Sequence, residues 1–140
     1  MTTSKSTILV VDDEFAARKR MCSALRAGGY DALEARDYRE ALGVYRRYHD
    51  QIHLLLIDVS LPGNNGCELA RAALALDPRV KVVLMSGPAG AEVCKFYGIP
   101  ATDVHFLEKP FRPSTLLARV KYVLGAAEPL TGKAAGNIGE

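Results

Sequence analysis

Cysteine is scarce in this chain: Cys22, Cys67 and Cys94 are the only three. Their number is odd and their spacing matches no metal-ligand pattern, which argues against a disulfide framework or a zinc module. They read as reduced, packed thiols. Long apolar runs are also missing. No stretch approaches the length of a membrane span, and the polar start from Met1 to Ser6 lacks the character of a signal peptide. The expectation is a cytoplasmic protein with no membrane association. A surplus of one charge is likewise absent, since 18 Lys and Arg face 16 Asp and Glu for a net charge of +2. That is too little to argue for direct nucleic-acid binding. The Arg18-Lys19-Arg20 run and the Arg46-Arg47 pair are accordingly read as solvated helix faces. No Gly-x-Gly-x-x-Gly or Walker lysine motif follows any strand-like run, which counts against a nucleotide- or flavin-binding doubly wound domain.

What is present is an ordinary globular balance, 49% hydrophobic and 24% charged over 140 residues, enough for one domain with a real core. Short β-branched or apolar runs recur at Thr7 to Val11, Ile52 to Ile57, Val80 to Met85 and Val104 to Leu107. Their shortness and composition favour buried parallel strands over helices. Tyr30 to Ala35 is more polar and suits a strand nearer the sheet edge. Helical stripes lie between these runs. Ala17, Met21, Ala24 and Leu25 share one face, with Gly28-Gly29 as the stop. Tyr38, Ala41, Leu42, Tyr45 and Tyr48 share another, and Asp37 with Glu40 resembles a reciprocal cap. The tyrosines read as packing residues. Glu68 to Leu76 forms a third helix closed by Asp77-Pro78, and Leu116, Leu117, Val120, Val123 and Leu124 mark a last one. The prolines and glycines between Pro88 and Thr102 predict a short or irregular helix. Residues 5 to 125 make the domain, and residues 126 to 140 an Ala- and Gly-rich frayed tail. Strand and helix alternate five times, which implies a parallel sheet with helices on both faces.

The strand ends carry matched chemistry. The first run reaches Asp12-Asp13, the third Asp58, the fourth Ser86 and the fifth Lys109. Ligands of open parallel sheets bind beyond the carboxyl ends of the strands, so these groups converge there. An Asp closing the run Leu54-Leu-Leu-Ile57 is costly to bury unpaired, and Asp58 is therefore expected as an exposed carboxylate at the mouth of a crevice. Adjacent carboxylates repel unless a hard cation such as Mg²⁺ accepts their oxygens. Lys109 and the Ser86 hydroxyl supply a charge and a donor for an anion. Each piece alone has a plain reading: Asp-Asp as a helix cap, Lys109-Pro110 and Ser86-Gly87 as turns. Together they describe a phosphoryl-binding site with a potentially nucleophilic carboxylate.

Ile8-Leu-Val-Val-Asp12-Asp13-Glu14, Leu56-Ile-Asp58-Val-Ser-Leu-Pro62-Gly63, Leu84-Met-Ser86-Gly87 and Phe106-Leu-Glu-Lys109-Pro110-Phe111 together resemble the receiver domain of two-component response regulators. The resemblance implies a five-stranded, doubly wound (βα)5 flavodoxin-like fold with strand order 2-1-3-4-5. It implies a signalling phosphoacceptor rather than an enzyme, with Asp58 taking a phosphoryl group from a phosphohistidine on a sensor kinase or phosphotransfer protein. Asp12 and Asp13 become the acidic pocket for Mg²⁺ or Mn²⁺, with Asp13, Asp58 and the Ser60 backbone carbonyl as direct ligands. Ser86 becomes the switch hydroxyl and Lys109 the phosphate-pairing lysine. Phe106 becomes the switch aromatic, exposed at rest and turned inward on activation. An output protein or a second copy would dock on the surface of the fourth helix, fifth strand and last helix. Two positions depart from a common pattern: Pro88 cannot orient an attacking water, and Ser60 is small. An aspartyl-nucleophile, metal-dependent phosphatase or phosphotransferase is the enzyme alternative, but it would want an acid where Ser60 stands. Residues 99 to 106 more resemble receivers attached to hybrid histidine kinases. With no second domain after residue 125, both a stand-alone receiver and a piece of a longer chain stay open.

Overall fold

The computed structural model describes residues 5–99 and 104–126. Ten elements alternate along them: β1 Thr7–Val11, α1 Phe15–Ala27, β2 Asp31–Ala35, α2 Tyr38–Tyr48, β3 Ile52–Asp58, α3 Gly66–Leu76, β4 Lys81–Ser86, α4 Gly90–Phe96, β5 His105–Glu108 and α5 Pro113–Ala126. The strands form one parallel sheet in the order β2-β1-β3-β4-β5, as expected. The chain leaves β1 for one side and returns across it to β3, so the switch point lies between the ends of β1 and β3.

Strand periodicity divides the core in two. Ile8, Val10, Leu54, Leu56, Val83 and Met85 pack with Met21, Cys22 and Leu25 of α1 and Leu116, Val120 and Val123 of α5. Leu9, Val11, Leu55, Ile57, Val82 and Leu84 face the other way, onto Ala41 and Tyr45 of α2, Cys67, Leu69 and Ala70 of α3, and Cys94 of α4. Strands buried on both sides account for the unbroken apolar runs. All three cysteines are buried free thiols, with Cys67 Sγ and Cys94 Sγ 3.5 Å apart.

Local signals act mostly where the spacing predicts. Gly29, in the left-handed region at φ 97°, ends α1. The Asp37 cap differs in one bond: its carboxylate accepts from the Glu40 amide at 2.8 Å, but Glu40 reaches back to the Arg36 amide, not to Asp37. The full reciprocal box belongs to α3, where Asn65 and Glu68 exchange side-chain and backbone bonds. That helix therefore starts at Gly66, two residues before Glu68. The irregular helix expected after Pro88 is α4, only seven residues long. Residues 100 to 103 and 127 to 140, including nearly all of the expected tail, lie outside the described residues.

Arg18 corrects the reading of the basic run as a solvated face. Its side chain is only 12% exposed. Nε donates to Glu34 Oε1 at 2.9 Å and Nη1 to the Asp12 carbonyl at 2.9 Å, while Lys19 Nζ takes Glu34 Oε2 at 2.8 Å. The network ties the turn after β1 to β2. The hydrogen bond from Lys19 holds the Glu34 carboxyl below its ordinary 4.5 against the opposing effect of burial, with Arg18 adding to it. A depressed acid stabilises the fold above its unfolded pKa, and the contribution is lost as pH falls through the folded value. Glu34→Gln should cost about 1 kcal/mol at neutral pH. Denaturant midpoints measured down through the acidic range should converge for parent and variant. A gap that stays constant with pH would assign the cost to packing.

Candidate functional site

Register brings the candidate residues level. Val11 pairs with Ile57, so Asp12 and Asp58 each stand one step beyond that pair on neighbouring strands. Asp58 pairs with Met85, and Ser86 with Glu108, which sets Ser86 and Lys109 just past the same edge. Asp12, Asp13 and Asp58 each offer a carboxylate oxygen, and these oxygens lie within 4.8 Å of one another. The donor set is all oxygen, with two acids buried and Asp13 open to solvent. This suits a hard cation that keeps part of its water shell, and it offers nothing to a soft metal.

The expected exposure of Asp58 is not what the chain adopts. Asp58 and Asp12 are each only 4% exposed. Pairing removes the objection to burying Asp58: Lys109 Nζ donates to Oδ2 at 2.9 Å and the Ser60 amide to Oδ1 at 2.9 Å. Lys109 keeps its own side chain 39% exposed while Asp58 is almost wholly covered, so the pair is buried on the acid's side and open on the lysine's. Asp12 Oδ1 accepts from the Glu14 amide at 2.9 Å. Burial nevertheless raises the Asp12 pKa, the Glu14 bond opposes the rise, and the Asp58 charge adds to it. The cluster is short of positive charge even with Lys109 in place.

The other two named side chains belong to the α2–α4 face. The Ser86 hydroxyl donates to the Gly87 carbonyl at 3.0 Å and makes no bond to Asp58 or Lys109. The Ser86 carbonyl accepts from the Lys109 amide at 2.8 Å, which couples the two strand ends through backbone. Phe106 was expected exposed but is half-buried against the α2–α4 core, because position 106 alternates onto that face beside Leu84. Ser60 is exposed and contacts Asp58 through its amide. Arg18 joins the site as a residue that the sequence reading missed. Its place in α1, next to Lys19 and three residues before buried Met21, gives no sign of a guanidinium folded back onto the Asp12 carbonyl.

Comparison with known proteins agrees with this geometry. The response regulator receiver domain family matches residues 8–121. The phosphate regulon transcriptional regulatory protein PhoB of Pseudomonas aeruginosa is 35% identical over 134 residues, covering 95% of this chain and 58% of that protein. The aerobic respiration control protein ArcA of Escherichia coli is 35% identical over 117 residues, covering 84% of this chain and 48% of that protein. The chain thus spans about half the length of these curated relatives. Among solved structures, the receiver domain from the hybrid histidine kinase CckA is 38% identical with a TM-score of 0.72, covering 85% of this chain and 99% of that one.

Gly66 sets how closely α3 approaches the site. Its amide donates to the Val59 carbonyl at 2.9 Å. A Cβ built there would overlap the Asp58 carbonyl oxygen and lie 2.8 Å from Ile57 Cγ2. These obstacles are strand backbone and a core methyl, neither of which yields cheaply. Gly66→Ala should therefore destabilise the domain by about 1–3 kcal/mol through overpacking and weaken the metal response of the acid cluster. Denaturant unfolding and a metal titration on the same variant check both. Parent-like values would mean that α3 is free to retreat.

Proposed function

Because this chain belongs to the response regulator receiver family, whose members are signalling phosphoacceptors rather than catalytic enzymes, we propose that Asp58 is its phosphoacceptor. A receiver implies a cognate histidine kinase, and the donor here is read as a phosphohistidine on a sensor kinase or a phosphotransfer protein. As the O–P bond to Asp58 forms, the N–P bond of the donor histidine breaks. The single observation that carries the reading is the Asp58 carboxylate inside a three-acid cluster with Lys109 Nζ 2.9 Å away.

The chain's own residues divide the work. Asp12 and Asp13 form the pocket for a divalent cation, Mg²⁺ or Mn²⁺, with Asp13, Asp58 and the Ser60 backbone carbonyl as direct ligands. When bound, the cation neutralises charge on the carboxylates and on the transferring oxygens. Lys109 already touches Asp58 and needs only a short move to follow the charge onto the phosphoryl oxygens. Ser86 is the hydroxyl drawn towards those oxygens, and Phe106 the ring that responds. Exposed Phe96 on α4 and Tyr122 on α5, 82% and 65% accessible, favour the α4-β5-α5 face as the docking surface for an output protein or second copy. No described helix is long and apolar enough to cross a membrane, and the phosphodonor chemistry goes with a cytoplasmic location. Ser60, where an aspartyl-nucleophile phosphatase would carry an acid, does not favour that alternative.

Three outcomes test the proposal. Intact mass after incubation with Mg²⁺ and acetyl phosphate should rise by one phosphoryl group in the parent and not in Asp58→Asn. Incorporation that survives in Asp58→Asn would remove the central claim. Asp13→Ala should lose the response to added Mg²⁺ or Mn²⁺, and an unchanged titration would mean the cation site is elsewhere. Pro88 presents no group that can hold water in line, and positioning is much of the catalysis in phosphoryl transfer. Autodephosphorylation should accordingly be slower than in receivers carrying an acid or amide at that position. A half-life of seconds for the phosphorylated parent would contradict it.

A further inference from the structure

Gly90 opens α4 directly above Ser86, and its missing side chain has no conformational reason. Among the described residues only Gly29, Gly63 and Gly98 have positive φ, so Gly90 adopts backbone angles open to any L residue. Within a helix, glycine is also a poorer choice than alanine. The reason is space. A Cβ built on Gly90 would overlap the Ser86 hydroxyl and lie 3.2 Å from Ser86 Cβ. The next nearest atom is Phe106 Cδ1, at 3.5 Å, an ordinary contact distance. Ser86 is 8% exposed, and its hydroxyl fills the slot beneath the first turn of α4 while bonded to the Gly87 carbonyl. The Phe106 ring borders the same slot from β5.

We propose that Gly90 creates a single-occupancy slot, held by the Ser86 hydroxyl at rest and open to the Phe106 ring once that hydroxyl leaves. The inference rests on reading Ser86 and Phe106 as the switch pair, and it adds a third residue that couples them. Ser86 has three staggered rotamers, and the observed one exists only because position 90 carries no Cβ. A methyl at position 90 would expel the hydroxyl and occupy the vacated volume itself. The ring, already at ordinary contact distance from that methyl, keeps its outer position and has nowhere to turn. Gly90→Ala should therefore leave Asp58 able to accept a phosphoryl group while disconnecting Phe106 and α5 from it. Gly90 is a positioning residue, acting through the two side chains that share its slot.

Two measurements test this. The first compares chemical shifts with and without beryllofluoride in the parent and in Gly90→Ala, alongside intact mass after acetyl phosphate. The expected result is full phosphoryl incorporation in both, with most of the beryllofluoride-induced shift at Phe106 and residues 113 to 124 lost in the variant. A parent-sized shift in Gly90→Ala would overturn the slot. The second is a stability cycle of Gly90→Ala, Ser86→Ala and the double variant, which needs no phosphodonor and so stands apart from the reading of Asp58. Ser86→Ala removes the atom that the new methyl meets, so the double variant should regain most of the stability that Gly90→Ala loses. If Gly90→Ala fails to fold, a folded double variant supports the slot and an unfolded one overturns it. Additive losses would likewise show that the hydroxyl is not what position 90 accommodates.

Discussion

Everything at the carboxyl edge of this sheet answers to one constraint: three carboxylates must share a few ångströms without driving the strand ends apart. Two like charges about 4 Å apart repel by about 4 kcal/mol at the effective dielectric of a protein surface. The Lys109 ammonium on Asp58 offsets one such interaction, and the amides of Glu14 and Ser60 each stabilise one oxygen. Three negative charges less one positive leave two, the charge of a divalent cation. The pocket is therefore a demand for charge as much as a shape. Burial is the main cause of the raised pKa of Asp12, and the neighbouring Asp58 charge adds to it.

Holding the acids in place falls to groups with no formal part in the chemistry. Arg18 fixes the carbonyl of Asp12 from α1 and anchors to Glu34 on β2, so the acidic turn is braced from the strand on its far side. Gly66 lets the start of α3 press on the backbone of Asp58. The Lys109 amide, bonded to the Ser86 carbonyl, ties the fifth strand's end to the fourth. Braced from three directions, the cluster can stay compact while its charges repel. In this way the parallel sheet turns a row of strand ends into a braced site.

Much of this was legible in the chain because burial and chemistry wrote the same pattern. Strands covered on both faces must be apolar throughout, so Leu54 to Ile57 could only end where Asp58 begins the site. Helix stripes such as Met21 with Leu25, or Val120 with Val123, repeat at a period that no strand shares. What escaped were features that depend on a partner far away in sequence. The burial of Asp58 follows from Lys109, 51 residues later. The recruitment of Arg18 follows from Glu34 on another strand. The early start of α3 is encoded in Asn65 three residues before Glu68, a polar signal that lies outside the apolar stripe of the helix. Gly90 carried no local signal at all, because its purpose is the hydroxyl beneath it.

The half-buried position of Phe106 limits what the proposed switch can draw from hydrophobic burial. Fully burying an exposed phenylalanine contributes at most about 3 kcal/mol, and a ring that already packs on the α2–α4 core has used part of that. What remains is on the order of 1 kcal/mol, less than the roughly 1.4 kcal/mol needed for a tenfold change in population. Burial of the ring alone would therefore be a small contribution to the proposed switch. The larger share has to come from Ser86 exchanging a neutral bond to the Gly87 carbonyl for a charge-assisted bond to a phosphoryl oxygen, a difference of about 1–2 kcal/mol. The aromatic follows the hydroxyl rather than leading it. Lacking the hydroxyl of a tyrosine, it follows with no polar atom to desolvate. A switch built from terms this small is bistable rather than locked, and a partner that binds one state of the α4-β5-α5 face can shift it as effectively as the phosphoryl group.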